Sequence, residues 1–229
     1  MLARLVQGDL HERTRSILAV LLPTLIAVPF FGMVLGAQSA AGVLPMTMAM
    51  AMWTYNTRTA YEEDKAELWT YLRALPIPPR QIVAVRYLST GLVTVGLTSL
   101  AVVAAYAFPF IPRIPLTHQP LAGAALAGLE TGLLVSAFFN VVYYRLGYKA
   151  AVGSGSWTVM LVLIFGFFVV ALLRDMSFSR SLAALAVRAL AWSSRHSSGA
   201  AVLAVMAGGL VYWMCWAFSA AAFSRREFD

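Results

Sequence analysis

Charge is scarce in this chain of 229 residues: only 12% of positions are Asp, Glu, Lys or Arg, against 60% that are hydrophobic. With a mean hydropathy of +0.75, the chain has too little polar surface to coat a water-soluble domain of its length, so the composition is that of an integral membrane protein. Lysine occurs only at Lys65 and Lys149 and closes no Gly-rich loop, which excludes a P-loop ATPase within the chain. His11, His118 and His196 are the only histidines and fall in segments outside the apolar runs. That removes the usual base of an intramembrane serine protease and the ligands of a zinc protease. Cys215 is the single cysteine, so no internal disulfide forms, and inside an apolar run it reads as a small core residue. No basic patch suits nucleic acid; the net charge of +7 reads as membrane topology and attraction to anionic headgroups.

What the chain does hold is apolar runs. A spanning helix needs about 20 mainly apolar residues, and six stretches qualify: about 17–36, 40–57, 87–108, 121–143, 150–173 and 200–222. They lack the alternation of barrel strands, and backbone in hydrocarbon must bond within its own segment, so helices are expected. The expected fold is an all-α bundle of six transmembrane helices forming one domain over 1–229. Arg13 and Arg15 before the first run give it the outline of a signal peptide, but the run is long for an h-region and reads as a retained span.

Orientation follows the basic residues. With the N-terminus inside, twelve of the Lys and Arg residues fall on the cytoplasmic side and five (Arg113, Arg174, Arg180, Arg188, Arg195) outside, so both termini are expected in the cytosol.

The connections carry more information than the runs. Residues 2–15 can form an amphipathic helix with Leu2, Leu5, Val6 and Leu10 on one side and Arg4, Gln7, His11 and Arg15 on the other, lying at the inner headgroups. Asp9 and Arg13 are spaced to pair. Residues 61–75 form a second, acid-rich amphipathic segment: Tyr61, Leu68, Leu72 and Leu75 share a stripe, Glu63 and Glu67 lie opposite, and Pro76, Pro78 and Pro79 end it. Its four acids, Glu62, Glu63, Asp64 and Glu67, fix no metal geometry and read as a solvated or partner-facing surface.

Residues 109–120 place four prolines in twelve positions, a stiff extended outer connection. Glu130 is the one carboxylate well inside an apolar run, where an ionised acid costs roughly 2.5–3.5 kcal/mol on insertion scales. It should face protein or water, either as a gating or substrate-contact residue or as a hydrogen-bonded tie between helices. Gly147 permits a tight turn in the basic inner loop 143–150. An outer segment, about 174–199, gathers Arg180, Arg188 and Arg195 on one helical face. The small residues of 153–156, and Gly208 and Gly209, suit close helix packing rather than a nucleophile turn.

Several of these features together resemble the permease subunits of type-two ABC exporters. They are the amphipathic leading helix, two spans, Glu62-Glu63-Asp64-Lys65 followed by Trp69, Leu75-Pro76, Arg80 and a long third span. The segment from Tyr144 to Lys149 and the ending from Ser224 to Phe228 are similar to motifs of the same family, with the compact six-span branch linked to export of peptides and bacteriocins the most similar. The resemblance implies a multi-pass protein of the bacterial cytoplasmic membrane that pairs with a second permease chain, identical or not. It also implies separate ABC ATPase subunits that hold the ATP and Mg, no cofactor in this chain, and an exported amphipathic cargo. Residues 61–75 would be the coupling helix, with Glu62, Glu63, Asp64, Glu67, Trp69 and Leu72 docking in the ATPase and Pro76 as the rigid end. A haem- or drug-exporting permease, and a membrane scaffold or channel, stay open as alternatives.

Overall fold

The computed structural model describes residues 2–35, 40–66, 77–107, 121–153 and 197–225. All of the regular structure among them is helical: α1 (Leu2–Glu12), α2 (Thr14–Leu35), α3 (Ala40–Lys65), α4 (Pro79–Ala107), α5 (Leu121–Leu146) and α6 (Ser197–Arg225), with a short helical stretch at 148–153. Three of them contain stretches long and apolar enough to cross a bilayer: Pro79–Ala104, Gly123–Leu146 and Val205–Arg225. The expected span at 150–173 and the outer segment at 174–199 fall almost wholly outside the described residues, as does the proline-rich connection at 109–120.

Helix ends follow the local chemistry. α1 and α2 abut at Arg13, where the Arg13 amide bonds the Asp9 carbonyl at 3.1 Å and the Ile17 amide bonds the Arg13 carbonyl at 2.9 Å. α4 begins at Pro79, eight residues before the expected span, because a first-turn proline has its φ preset and no amide to leave unpaired. α5 ends at Gly147, whose φ of 90° is the left-handed cap that glycine adopts without steric cost. Its amide bonds the Tyr143 carbonyl at 2.9 Å, and its own carbonyl accepts the Ala151 amide at 3.0 Å, starting the next helical stretch.

α4 touches every other described helix, while α5 packs most extensively on α3 and then on α6. One apolar cluster joins Val20 of α2, Met48, Met52 and Tyr55 of α3, and Val93 and Leu97 of α4. A second joins Val83 and Tyr87 of α4, Ala137 and Tyr144 of α5, and Cys215, Ala220 and Phe223 of α6. α3 and α5 approach closely because Gly128 and Gly132, one turn apart, present no side chain. A Cβ on Gly132 would lie 2.7 Å from Thr94 Cγ2 and 3.2 Å from Met52 Cγ, the small-xxx-small contact of membrane helices. Buried hydroxyls answer their own helix: Thr59, Thr94, Thr98 and Ser136 donate to carbonyls four residues back at 2.6–2.8 Å. Leu18, Leu22 and Ile26 form an exposed stripe on α2, the outward face hydrocarbon accepts.

α1 is amphipathic as read, with Arg4, Gln7 and His11 exposed, and its apolar side packs on the bundle, Leu10 against the first cluster, with α1 resting on α4. One expectation changes. Residues 61–65 are not the start of a separate helix: they are the last turn of α3. In that turn Tyr61 is 50% exposed and Glu63 only 9%, the reverse of the expected faces. Two buried guanidiniums recruit the carboxylate, and that outweighs the apolar stripe.

Candidate functional site

The residues that stand out chemically meet at one end of the bundle. The contact between Glu63 and Tyr143 puts the C-terminal ends of α3 and α5 side by side, and Arg86 brings in the start of α4 and Arg13 the α1–α2 junction. Arg13 Nη2 and Arg86 Nη1 both donate to Glu63 Oε1 in short charge-assisted bonds. Tyr143 donates its hydroxyl to Glu63 Oε2 at 2.8 Å. Arg13 also bridges Asp9 through Nε at 2.7 Å, the pair expected from their spacing. The Arg86 guanidinium carbon stands 5.9 Å from the centre of the Tyr143 ring, within cation–π range.

The node is charge-balanced, two guanidiniums against two carboxylates, and its ionic members are nearly enclosed: Arg13 is 8% exposed, Arg86 3% and Glu63 9%. An isolated ion there would cost several kcal/mol of lost hydration, so the four charges are tolerated only together. Burial works against the Arg13 charge, but Glu63 and Asp9 outweigh it and hold the guanidinium above its usual range. For Glu63, burial outweighs the opposing pull of Arg13 and the Tyr143 hydroxyl and holds the carboxyl above its usual range.

Glu62 points elsewhere. It accepts Ser16 Oγ at 2.9 Å and Arg58 Nε at 3.2 Å, in a pair roughly half exposed to solvent. Asp64 is exposed. Thus of the acidic segment, Glu62 and Asp64 face outward and Glu63 faces the interior; Glu67, Trp69, Leu72 and Pro76 lie outside the described residues. Among the described residues, no three His, Cys, Asp or Glu side chains converge as a metal site would require.

Glu130 sits apart from this node. It is half-buried on α5 and packs over Gly208 of α6, where an added Cβ would lie 3.7 Å from Glu130 Cγ. Its Oε1 is enclosed and has no hydrogen-bond partner among the described residues. Gly209, by contrast, faces open space. A further polar joint holds α4, α5 and α6: the Tyr87 hydroxyl lies 2.8 Å from Ser219 Oγ and 3.3 Å from the Ala137 carbonyl, and Tyr212 donates to the Tyr87 carbonyl at 2.7 Å. Asn56 links α3 to α5 through Ser136 at 2.9 Å.

Sequence reasoning missed Arg13, Arg86 and Tyr143 as partners of Glu63, and Gly128 with Gly132 as the α3–α5 contact. The glycine pair was visible as a small residue repeated at a spacing of four. The arginines looked like ordinary topology charges beside the apolar runs, and their convergence is a property of the bundle.

One comparison adds to this geometry. The family described as ABC-2 family transporter protein matches residues 9–224, nearly the whole chain. No curated protein matches the chain, and no solved structure matches it. The chain belongs to the ABC-2 transporter family: it is a membrane permease subunit of an ABC transporter, and not itself the catalytic subunit.

Proposed function

We propose that this ABC-2 permease subunit is half of an exporter in the bacterial cytoplasmic membrane, carrying an amphipathic cargo outward by alternating access. Two permease chains, identical or not, form the route, and separate ATPase subunits hold the nucleotide. The observation that carries the reading is the position of Glu63. It lies in the last turn of α3, at the root of the acidic segment, and is bonded to the α1–α2 junction, α4 and α5 at once. A force that displaces this root is shared among those helices, because a charge-balanced buried node resists being pulled apart.

On this reading the segment has two parts. Glu62, Asp64, Glu67, Trp69 and Leu72 meet the ATPase, and Pro76 is the stiff end before α4. Glu63 acts through its partners as the positioning residue that distributes the movement. Glu130, an acid at the α5–α6 contact, serves the pathway or its gate. The cargo class is a peptide or lipid-like amphiphile; haem or drug export, or a scaffold without transport, are the competing outcomes.

The test has two arms. Co-purification of the chain with an ABC ATPase should be lost in the double variant Asp64→Lys, Glu67→Lys, and retention in that variant refutes the docking surface. Glu63→Gln should keep the ATPase bound while cargo-stimulated ATP hydrolysis in proteoliposomes falls by at least tenfold. Stimulation of wild-type hydrolysis by cationic amphipathic peptides but not by haem supports the cargo class, and the reverse overturns it.

A further inference from the structure

A groove of about 530 Å³ opens between the last turns of α5 and α6, lined by Val141, Arg145, Phe218, Ala221, Ala222 and Arg225. We propose that it binds an anionic phospholipid, its phosphate held by Arg145 and Arg225 and an acyl chain laid along Val141 and Phe218. The volume lies within the roughly 300–1,000 Å³ of small-molecule sites. This inference stands independently of the coupling mechanism above.

The argument is the order of the lining along the helix axes. Arg145 follows Val141 by one turn of α5, and Arg225 follows Phe218, Ala221 and Ala222 on α6. The charges therefore lie at the rim and the apolar wall lies deeper, the order in which a phospholipid presents headgroup and chain. Both helices contain membrane-length apolar stretches ending here, at Leu146 and Arg225, so the rim falls where hydrocarbon gives way to headgroups. Arginines at helix ends commonly snorkel into water one by one. Here two line a single cavity. Both are exposed and neither forms an ion pair with a described residue, whereas Arg13, Arg58 and Arg86 all do. Guanidinium forks match phosphate oxygens in geometry as well as charge. Phe218, 62% exposed, supplies the apolar surface that a soluble anion has no use for.

The experiment is native mass spectrometry of the purified full chain, equilibrated with phosphatidylglycerol or phosphatidylcholine. The expected result is retention of phosphatidylglycerol over phosphatidylcholine. That preference should fall about fivefold on replacing either arginine by glutamine and roughly thirtyfold in Arg145→Gln, Arg225→Gln. Lys149→Gln, an exposed cation on the turn after Gly147, should leave it unchanged. No lipid preference in the wild type overturns the proposal, whatever the variants do. So does an equal loss in Lys149→Gln, which would signify diffuse attraction. Displacement of the lipid by inorganic phosphate as readily as by fresh phosphatidylglycerol also overturns it, by showing a site for the free anion.

Discussion

Replacing Glu63 by alanine removes one carboxylate and leaves Arg13 and Arg86 facing each other with a single remaining anion, Asp9, bonded to Arg13 alone. Three hydrogen bonds disappear, two from guanidiniums and one from Tyr143 at 2.8 Å. Breaking a buried ion pair from one side costs about 3–5 kcal/mol, since the stranded charge keeps its desolvation penalty. For a chain of this size each kcal/mol lowers the melting midpoint by about 2–4 °C, so Glu63→Ala should melt roughly 6–20 °C below wild type in detergent. Glu63→Gln retains an acceptor oxygen and the shape of the side chain, and should fall between the two. The control is Arg58→Ala, which breaks a roughly half-exposed pair with Glu62 and should cost only about 0.3–0.5 kcal/mol. Thermal unfolding followed by helical circular dichroism reads all three. A Glu63→Ala midpoint within a degree or two of wild type, or equal to that of Arg58→Ala, would falsify the claim that this node ties the α1–α2 junction, α3, α4 and α5 together.

Other positions make separate demands. Gly132→Ala puts a methyl group 2.7 Å from Thr94 Cγ2 and should destabilise by about 1–3 kcal/mol through overpacking. Thr94→Ser deletes that methyl, so the double variant should recover much of the loss in the same melt. Gly147→Ala forces a side chain onto a φ of 90° at about 1–2 kcal/mol; Gly147→Asn, which tolerates that region better, should lose less. Tyr143→Phe removes the hydroxyl that donates to Glu63 and should lower stability by about 1.5–3 kcal/mol, the usual worth of a bond to a charged group.

Membrane character, helical class and the positions of most helices followed from composition and apolar run length, because the bilayer imposes both a length and an internally bonded backbone. The Asp9–Arg13 pair and the Gly147 turn were equally legible, being set by spacing within one helix or by the conformation of one residue. What lay beyond the sequence was every contact between elements distant along the chain. Glu63 reads as one acid among four on an exposed face until the α1–α2 junction, α4 and α5 bring two guanidiniums and a phenol to it. Then the cost of leaving those charges unpaired turns it inward and extends α3 into the segment that its apolar stripe had marked as a helix of its own. Arg145 and Arg225, far apart in the chain, share one groove because α5 packs against α6. Local periodicity and bilayer thickness act residue by residue, whereas pairing of buried charge depends on which helix stands beside which, and only the packed bundle decides that.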